Sequence, residues 1–142
     1  SYDIETDLGF IEVKSTVVKD KREVTISNPT QLDSPGKPLS LVLCQFEPTI
    51  LNGVSIDSVL EEFASMGYST AVLNTKLSKM GFDPGMSSRK KPFILHDMLK
   101  YTVDSDFPRI TPASFVGGVM PAGITKFTYT VDLSGMTTES MM

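Results

Sequence analysis

The sequence predicts an α/β domain of the α+β kind, a mixed central sheet flanked by helices. Three observations lead there. Strand-like and helix-like segments follow one another as strands, then helices, then strands. Residues 38–46 (PLSLVLCQF) form an apolar run continuous enough for a strand covered on both faces. The 142 residues, 40% apolar and 21% charged, suffice for one domain with a real core and fall short of two comfortable ones.

Taken in order, residues 1–5 (SYDIE) and 9–18 (GFIEVKSTVV) read as two strands joined by Thr6-Asp7-Leu8-Gly9, whose Asp and Gly supply turn chemistry. Residues 22–27 (REVTIS) form a third strand. Asn28-Pro29-Thr30-Gln31-Leu32 reads as a capped helical start, with Ser27 or Asn28 as N-cap and Pro29 in the first turn. Residues 33–37 (DSPGK) make a turn before the central strand. Residues 55–66 form the clearest helix, with Ile56, Val59, Leu60 and Phe63 at helical spacing and Asp57, Glu61 and Glu62 on the other side. A second helix is expected over 68–80, bounded by Gly67 and Gly81. Residues 82–91 form a polar loop. Residues 93–103 read as a long strand or hairpin arm and residues 126–133 as another; both alternate, with Phe127, Tyr129 and Val131 on one side. The polar tail, 134–142, is expected to fray. No internal repeat or low-complexity linker divides residues 1–142, which read as a single domain.

Composition narrows the function. No run approaches the roughly 18 apolar residues that span a bilayer, so no membrane partner is expected. A lone cysteine, Cys44, cannot form an internal disulfide; it reads as a small apolar residue, in keeping with a reducing cytoplasm. The net charge of −4 argues against a chain coated in nucleic acid along its length, but patches rather than totals steer a polyanion. Basic residues gather at Lys14, Lys19, Lys21 and Arg22, and again at Arg89, Lys90 and Lys91 with Lys76 and Lys79 upstream. Solvated loops and phosphate contacts both account for them. His96 has no second histidine or cysteine pair and reads as an ordinary strand residue. In Phe107-Pro108-Arg109 the arginine could meet a phosphate; the simpler reading is a buried turn pairing it with Asp104 or Asp106.

The chemistry lies in the first two strands. Alternation puts Glu12 and Lys14 on one face with Phe10 and Thr16, and Ile11 and Val13 on the other. A hairpin loop of two or four residues sets Asp3 directly opposite Glu12 and Glu5 opposite Phe10, whereas a three-residue loop sets Asp3 opposite Val13. Two facing carboxylates repel unless something positive lies between them. A divalent cation meets that demand, and hard oxygen donors open to water suit Mg²⁺. Lys14, one pleat along, could hold an attacking water or stabilise charge developing on a phosphate. The alternative is an exposed hairpin whose Asp, Glu and Lys pair at the surface for roughly 0–1 kcal/mol.

Asp3…Glu12-Val13-Lys14 resembles the signature of the PD-(D/E)XK nuclease superfamily. IEVKST, the following basic stretch, TISNPTQL, YTVDSDFPRIT and the late TYTVDL together resemble the bacterial group of PD-(D/E)XK motif proteins, over most of the chain. Tyr2 stands where that motif has proline. The resemblance implies a restriction-endonuclease-like core with a mixed four-stranded sheet, and a metal-dependent DNA endonuclease of restriction or phage-defence type. It implies Mg²⁺, with Mn²⁺ able to substitute, held by Asp3, Glu12 and the Val13 backbone. Asp3, Glu12 and Lys14 would match the motif's catalytic residues, and Gln31 a helix glutamine that some members carry near the site. Ser15, Lys19, Lys21 and Arg22 would line the neighbourhood of double-stranded DNA, with Arg89, Lys90 and Lys91 as further contacts. A homodimer is expected because one small site cutting both strands wants two copies; other defence-system subunits are further expected partners. Members have a helix before the aspartate, so an upstream helix is expected beyond this stretch. A catalytically silent DNA- or protein-binding module of a larger defence complex is the alternative, and an exonuclease or nickase a third reading.

Overall fold

A two-residue loop closes the first hairpin. In the computed structural model, which describes residues 2–34 and 36–142, β1 (Ile4–Thr6) pairs antiparallel with β2 (Gly9–Thr16) in the register Ile4↔Ile11, Glu5↔Phe10 and Thr6↔Gly9. Thr6 Oγ1 accepts the N–H groups of Leu8 and Gly9, each at 3.2 Å, and so ties the loop to the strand end. Gly9 is required by proximity, because a Cβ there would lie 2.6 Å from the Pro38 carbonyl oxygen. That close approach starts the next pairing: β2 runs parallel to β4 (Leu39–Pro48), with Glu12 beside Leu41 and Lys14 beside Leu43.

Between them lies β3 (Glu23–Ile26), which pairs antiparallel with β6 (Tyr129–Asp132) in a separate two-stranded sheet. Its period-two pattern buries Val24 and Ile26 against Val131, while Glu23 and Thr25 face water. The main sheet has five strands in the order β1-β2-β4-β5-β7, completed by β5 (Phe93–Val103) and β7 (Glu139–Ser140). It is mixed: β1 on β2 and β7 on β5 are antiparallel, β2 on β4 parallel. The α+β class expected from the sequence is therefore present, as is a sheet consistent with a restriction-endonuclease-like core, with five strands rather than four.

Two compact units divide the chain, Ser1–Gln45 with His96–Met142, and Phe46–Leu95. In the first, Leu39, Leu41 and Leu43 of β4 and Leu99, Tyr101 and Val103 of β5 join Val24, Ile26, Leu32, Phe107, Val131 and Leu133 in one buried cluster. The second holds α1 (Ile56–Ser65) and α2 (Ala71–Lys79). Ser55 caps α1 by accepting the Ser58 N–H while the Ser58 hydroxyl oxygen accepts the Ser55 N–H. Arg89, in the short 3₁₀ turn Ser87–Lys90, donates from Nε to Asp57 Oδ1 at 2.8 Å. No helix of the described residues is long and apolar enough to cross a membrane.

Three expectations need correction. Residues 28–32 do not start a helix: Asn28 Oδ1 accepts the Thr30 N–H at 3.0 Å and the Thr30 hydroxyl at 2.7 Å, which folds the segment into consecutive turns. The tail does not fray throughout, since Glu139 and Ser140 pair with Lys100 and Leu99, and the Thr138 hydroxyl donates to the Lys100 carbonyl at 2.9 Å. The second helix begins at Ala71 rather than residue 68. The strand expected over 1–5 and the turn over 33–37 include Ser1 and Pro35, which lie outside the described residues.

Leu43→Ala should destabilise the protein by about 2–5 kcal/mol in chemical denaturation, because Leu43 is wholly enclosed in the cluster. Leu8→Ala, at an exposed hairpin position, should stay within about 0.5 kcal/mol of the parent.

Candidate active site

The backbone of β2 decides which groups meet. Phe10 donates its N–H to the Pro38 carbonyl at 2.8 Å, so Phe10, Glu12 and Lys14 direct their peptide groups toward β4. The facing pair Glu5–Phe10 is then of the non-hydrogen-bonded kind, and the ladder ends at the hydrogen-bonded pair Ile4–Ile11, one residue short of Asp3. Asp3 lies just outside β1, where the chain bends out of the ladder. Its Oδ2 accepts the Val13 N–H at 2.8 Å, in place of a continued β1 backbone. A strand residue sends N–H and C=O out along the same edge, so the Val13 carbonyl also faces the Asp3 side rather than β4.

Glu12 is 5% exposed. A carboxylate so deeply enclosed needs partners. Gln31 supplies one: its Nε2 donates to Glu12 Oε1 at 3.0 Å. The Gln31 Oε1 accepts both the Lys14 ammonium at 3.2 Å and the Ser27 N–H at 3.1 Å. Because a backbone N–H needs an acceptor, the Ser27 contact fixes which way the amide points. Lys14 Nζ also lies 4.0 Å from Glu12 Oε1. The result is a Glu12–Gln31–Lys14 chain with Asp3 beside Glu12. Burial pushes the Glu12 carboxyl up from its ordinary value and the nearby Asp3 pushes it further; Lys14 and the Gln31 hydrogen bond oppose the rise without cancelling it.

Comparison with known families matches residues 1–134 to the family described as "Putative PD-(D/E)XK family member, (DUF4420)". The chain belongs to this family. No curated protein matches it, and no solved structure does.

In this DUF4420 member the donor set can be tested against a cation. Among the described residues no group of three or more His, Cys, Asp and Glu side chains converges. The donors at hand are the Asp3 and Glu12 carboxyls, with the Val13 backbone oxygen facing the Asp3 side. Hard cations that keep several waters are commonly bound through one or two carboxylates plus substrate phosphates. Gln31 engages one oxygen of Glu12 and the Val13 N–H one oxygen of Asp3, so each carboxyl keeps a second oxygen. The donors fit such an ion, and its charge would offset both the burial and the Asp3 repulsion that lift Glu12.

The other expected site residues fall differently. Ser15 is exposed, but alternation puts it on the face opposite Glu12 and Lys14. Lys19 and Lys21 are exposed in the loop after β2, and Arg22 is half-buried. Gln45, itself buried on β4, donates to the Val18 and Lys21 carbonyls at 3.4 Å each and holds that loop. Arg89 departs from the expected phosphate clamp: it is 4% exposed and committed to Asp57, while Lys90 and Lys91 are exposed. All three belong to the second unit, whereas Asp3, Glu12, Lys14 and Gln31 belong to the first. Arg109 takes neither Asp104 nor Asp106; its Nη1 donates to the Leu32 carbonyl at 2.6 Å. Sequence reading missed Tyr2 as a site neighbour. Its ring stacks on Phe10 with centroids 4.6 Å apart, and its hydroxyl donates to the Asp33 carbonyl. An aromatic pair across a hairpin was the available signal.

Glu12 gives a pH signature of known sign. Its folded value is raised, so the native state holds a proton that the unfolded chain has released. The Glu12 contribution to stability is therefore fully present below the ordinary carboxyl range and is lost as pH rises through the raised folded value. Glu12→Gln, which cannot ionise, should melt higher than the parent at neutral pH, with the difference shrinking in acid. Paired thermal melts from pH 4 to 8 check this.

Proposed function

We propose that this chain is a divalent-metal-dependent nuclease domain that hydrolyses phosphodiester bonds of double-stranded DNA as an endonuclease, with Mg²⁺ as its ion and Mn²⁺ able to substitute. Support comes from family membership and, above all, from one observation: a nearly inaccessible Glu12 stands beside Asp3 and is wired through Gln31 to Lys14. A surface ion-pair hairpin would leave Glu12 in water. This arrangement instead encloses a charge next to a like charge, an expense that a bound cation makes worthwhile.

Asp3, Glu12 and the Val13 carbonyl would hold the ion. When bound, it supplies Lewis acidity toward a phosphoryl oxygen and lowers the pKa of a coordinated water. The chain's own residues do the rest. Gln31 fixes the Glu12 oxygen it touches and restrains the Lys14 ammonium within reach of the same centre. Lys14 is a compact charge with three donors, suited to a water or a non-bridging phosphate oxygen as negative charge grows. Lys19, Lys21 and Arg22 follow β2 directly and are suited to neutralising the phosphates of the same strand.

The test is cleavage of supercoiled plasmid in Mg²⁺ or Mn²⁺, alongside DNA binding. Metal-dependent cutting is expected, with Lys14→Ala slowing it by roughly 10²–10³-fold, the loss typical when a donor to developing charge is removed. Glu12→Ala should also abolish the rise in melting temperature produced by Mg²⁺, a linkage effect worth roughly 2.7 kcal/mol at a hundred times the dissociation constant. DNA bound but never cut in either metal would favour the silent module, and digestion of linear but not circular DNA an exonuclease.

Replacing Lys19 and Lys21 together by Ala should weaken DNA binding about equally for all sequences and reduce the salt slope by roughly one for each phosphate no longer neutralised. Binding measured across salt concentrations checks this.

A further inference from the structure

Gln31 is held where it is by groups that come from far along the chain. The turns of residues 28–33 have no helix to stiffen them, and the Leu32 side chain is their buried anchor. Two carbonyls beside Gln31 are gripped from different directions. Arg109, in the segment after β5, donates Nη1 to the Leu32 oxygen at 2.6 Å. Tyr2 donates its hydroxyl to the Asp33 oxygen. Tyr2 is also the residue before Asp3, and its ring stacks on Phe10, two places before Glu12 on the same face. One side chain thus touches the turn that carries Gln31, the entry to Asp3 and the strand that carries Glu12 and Lys14.

We propose that Tyr2 and Arg109 are positioning residues for the candidate site: they clamp the Leu32 and Asp33 carbonyls so that the Gln31 amide bridges Glu12 and Lys14, and Tyr2 sets the direction in which Asp3 leaves β1. Proline at position 2 would restrain the chain by fixing its own φ. Tyr2 provides the restraint through a stacked ring and a hydrogen-bonded hydroxyl, and in doing so couples it to the Gln31 turn. Neither residue bonds to Glu12 or Lys14, so both act through another group. Outer-sphere groups of this kind typically cost about ten- to a hundredfold in metal affinity or activity when removed.

The activity arm of the test rests on the nuclease reading; the spectroscopic arm does not. Arg109→Met and Tyr2→Phe are compared with the parent and with Gln31→Ala, singly and combined. The Gln31 side-chain amide is observed by ¹H–¹⁵N NMR, single-turnover plasmid cleavage in Mn²⁺ is measured beside DNA affinity, and each variant is melted thermally. Tyr2→Phe keeps the stacked ring and removes only the hydroxyl, so it serves where Arg109→Met fails to fold. The clamp predicts that the two Gln31 amide protons move toward the shifts of a free glutamine. It predicts that cleavage falls about tenfold with DNA affinity within about twofold, and that neither change adds to the loss in Gln31→Ala. Arg109→Lys, which keeps a donor, should recover part of the loss. A lowered melting temperature with unchanged Gln31 amide signals would overturn the proposal, as would losses that multiply in the double variants. A parent that cuts no DNA would remove the nuclease reading and leave the amide signals to decide the clamp.

Discussion

A carboxylate that water barely reaches organises this structure. Glu12 sits on a strand enclosed between β1 and β4, and every neighbouring feature answers the cost of placing it there. Gln31 donates to it, Lys14 balances its charge from the next position on the same face, and Asp3, which should be kept away from it, is instead brought alongside. An ion pair and a hydrogen bond satisfy Glu12, while Asp3 is exposed and takes the Val13 N–H; none of these contacts removes the repulsion between the two acids. The remaining repulsion is what distinguishes the arrangement from ordinary buried polar packing.

The geometry behind that convergence is local. A two-residue loop fixes the hairpin register, the parity of β2 follows from the Phe10 bond to Pro38, and the Val13 N–H, turned toward β1, is taken by the Asp3 carboxylate where the ladder ends. The shared face of Glu12 and Lys14 was legible in the sequence from the period of two, whereas the place of Asp3 depended on a loop length that the sequence left open. Also legible were β4, whose apolar run is continuous enough for a central strand, and β5, whose limits matched the expectation.

What was not legible depended on distant partners. Asn28 followed by Pro29 satisfies the rules for a helix start and those for a side-chain-capped turn equally well; the bonds from Asn28 Oδ1 to Thr30 decide for the turn. Gln31 therefore belongs to the site for a different reason from a helix glutamine, since its carrier is pinned by Tyr2 and Arg109. Arg89 looked like part of a solvated basic run because its neighbours Lys90 and Lys91 are exposed. Only Asp57, at the start of α1, shows why it alone turns inward. The tail read as polar and unbound because two residues of strand carry almost no periodic signal; β5 supplies the edge they need.

Local rules and the fold agree almost everywhere along β2 except at position 12. The Thr, Val and Ile residues of β2 suit a strand, and all of them are half-buried. A glutamine at 12 would fill nearly the same volume, hydrogen-bond to Gln31 and feel no repulsion from Asp3. A position filled for packing alone would be better served by it. That the chain carries an ionisable group instead, where the Asp3 charge reaches it, is a conflict between local and global preference of the kind that natural sequences concentrate at functional sites. Either a proton on Glu12 or a cation between the two acids would remove their repulsion, and only the cation leaves both carboxyls ionised.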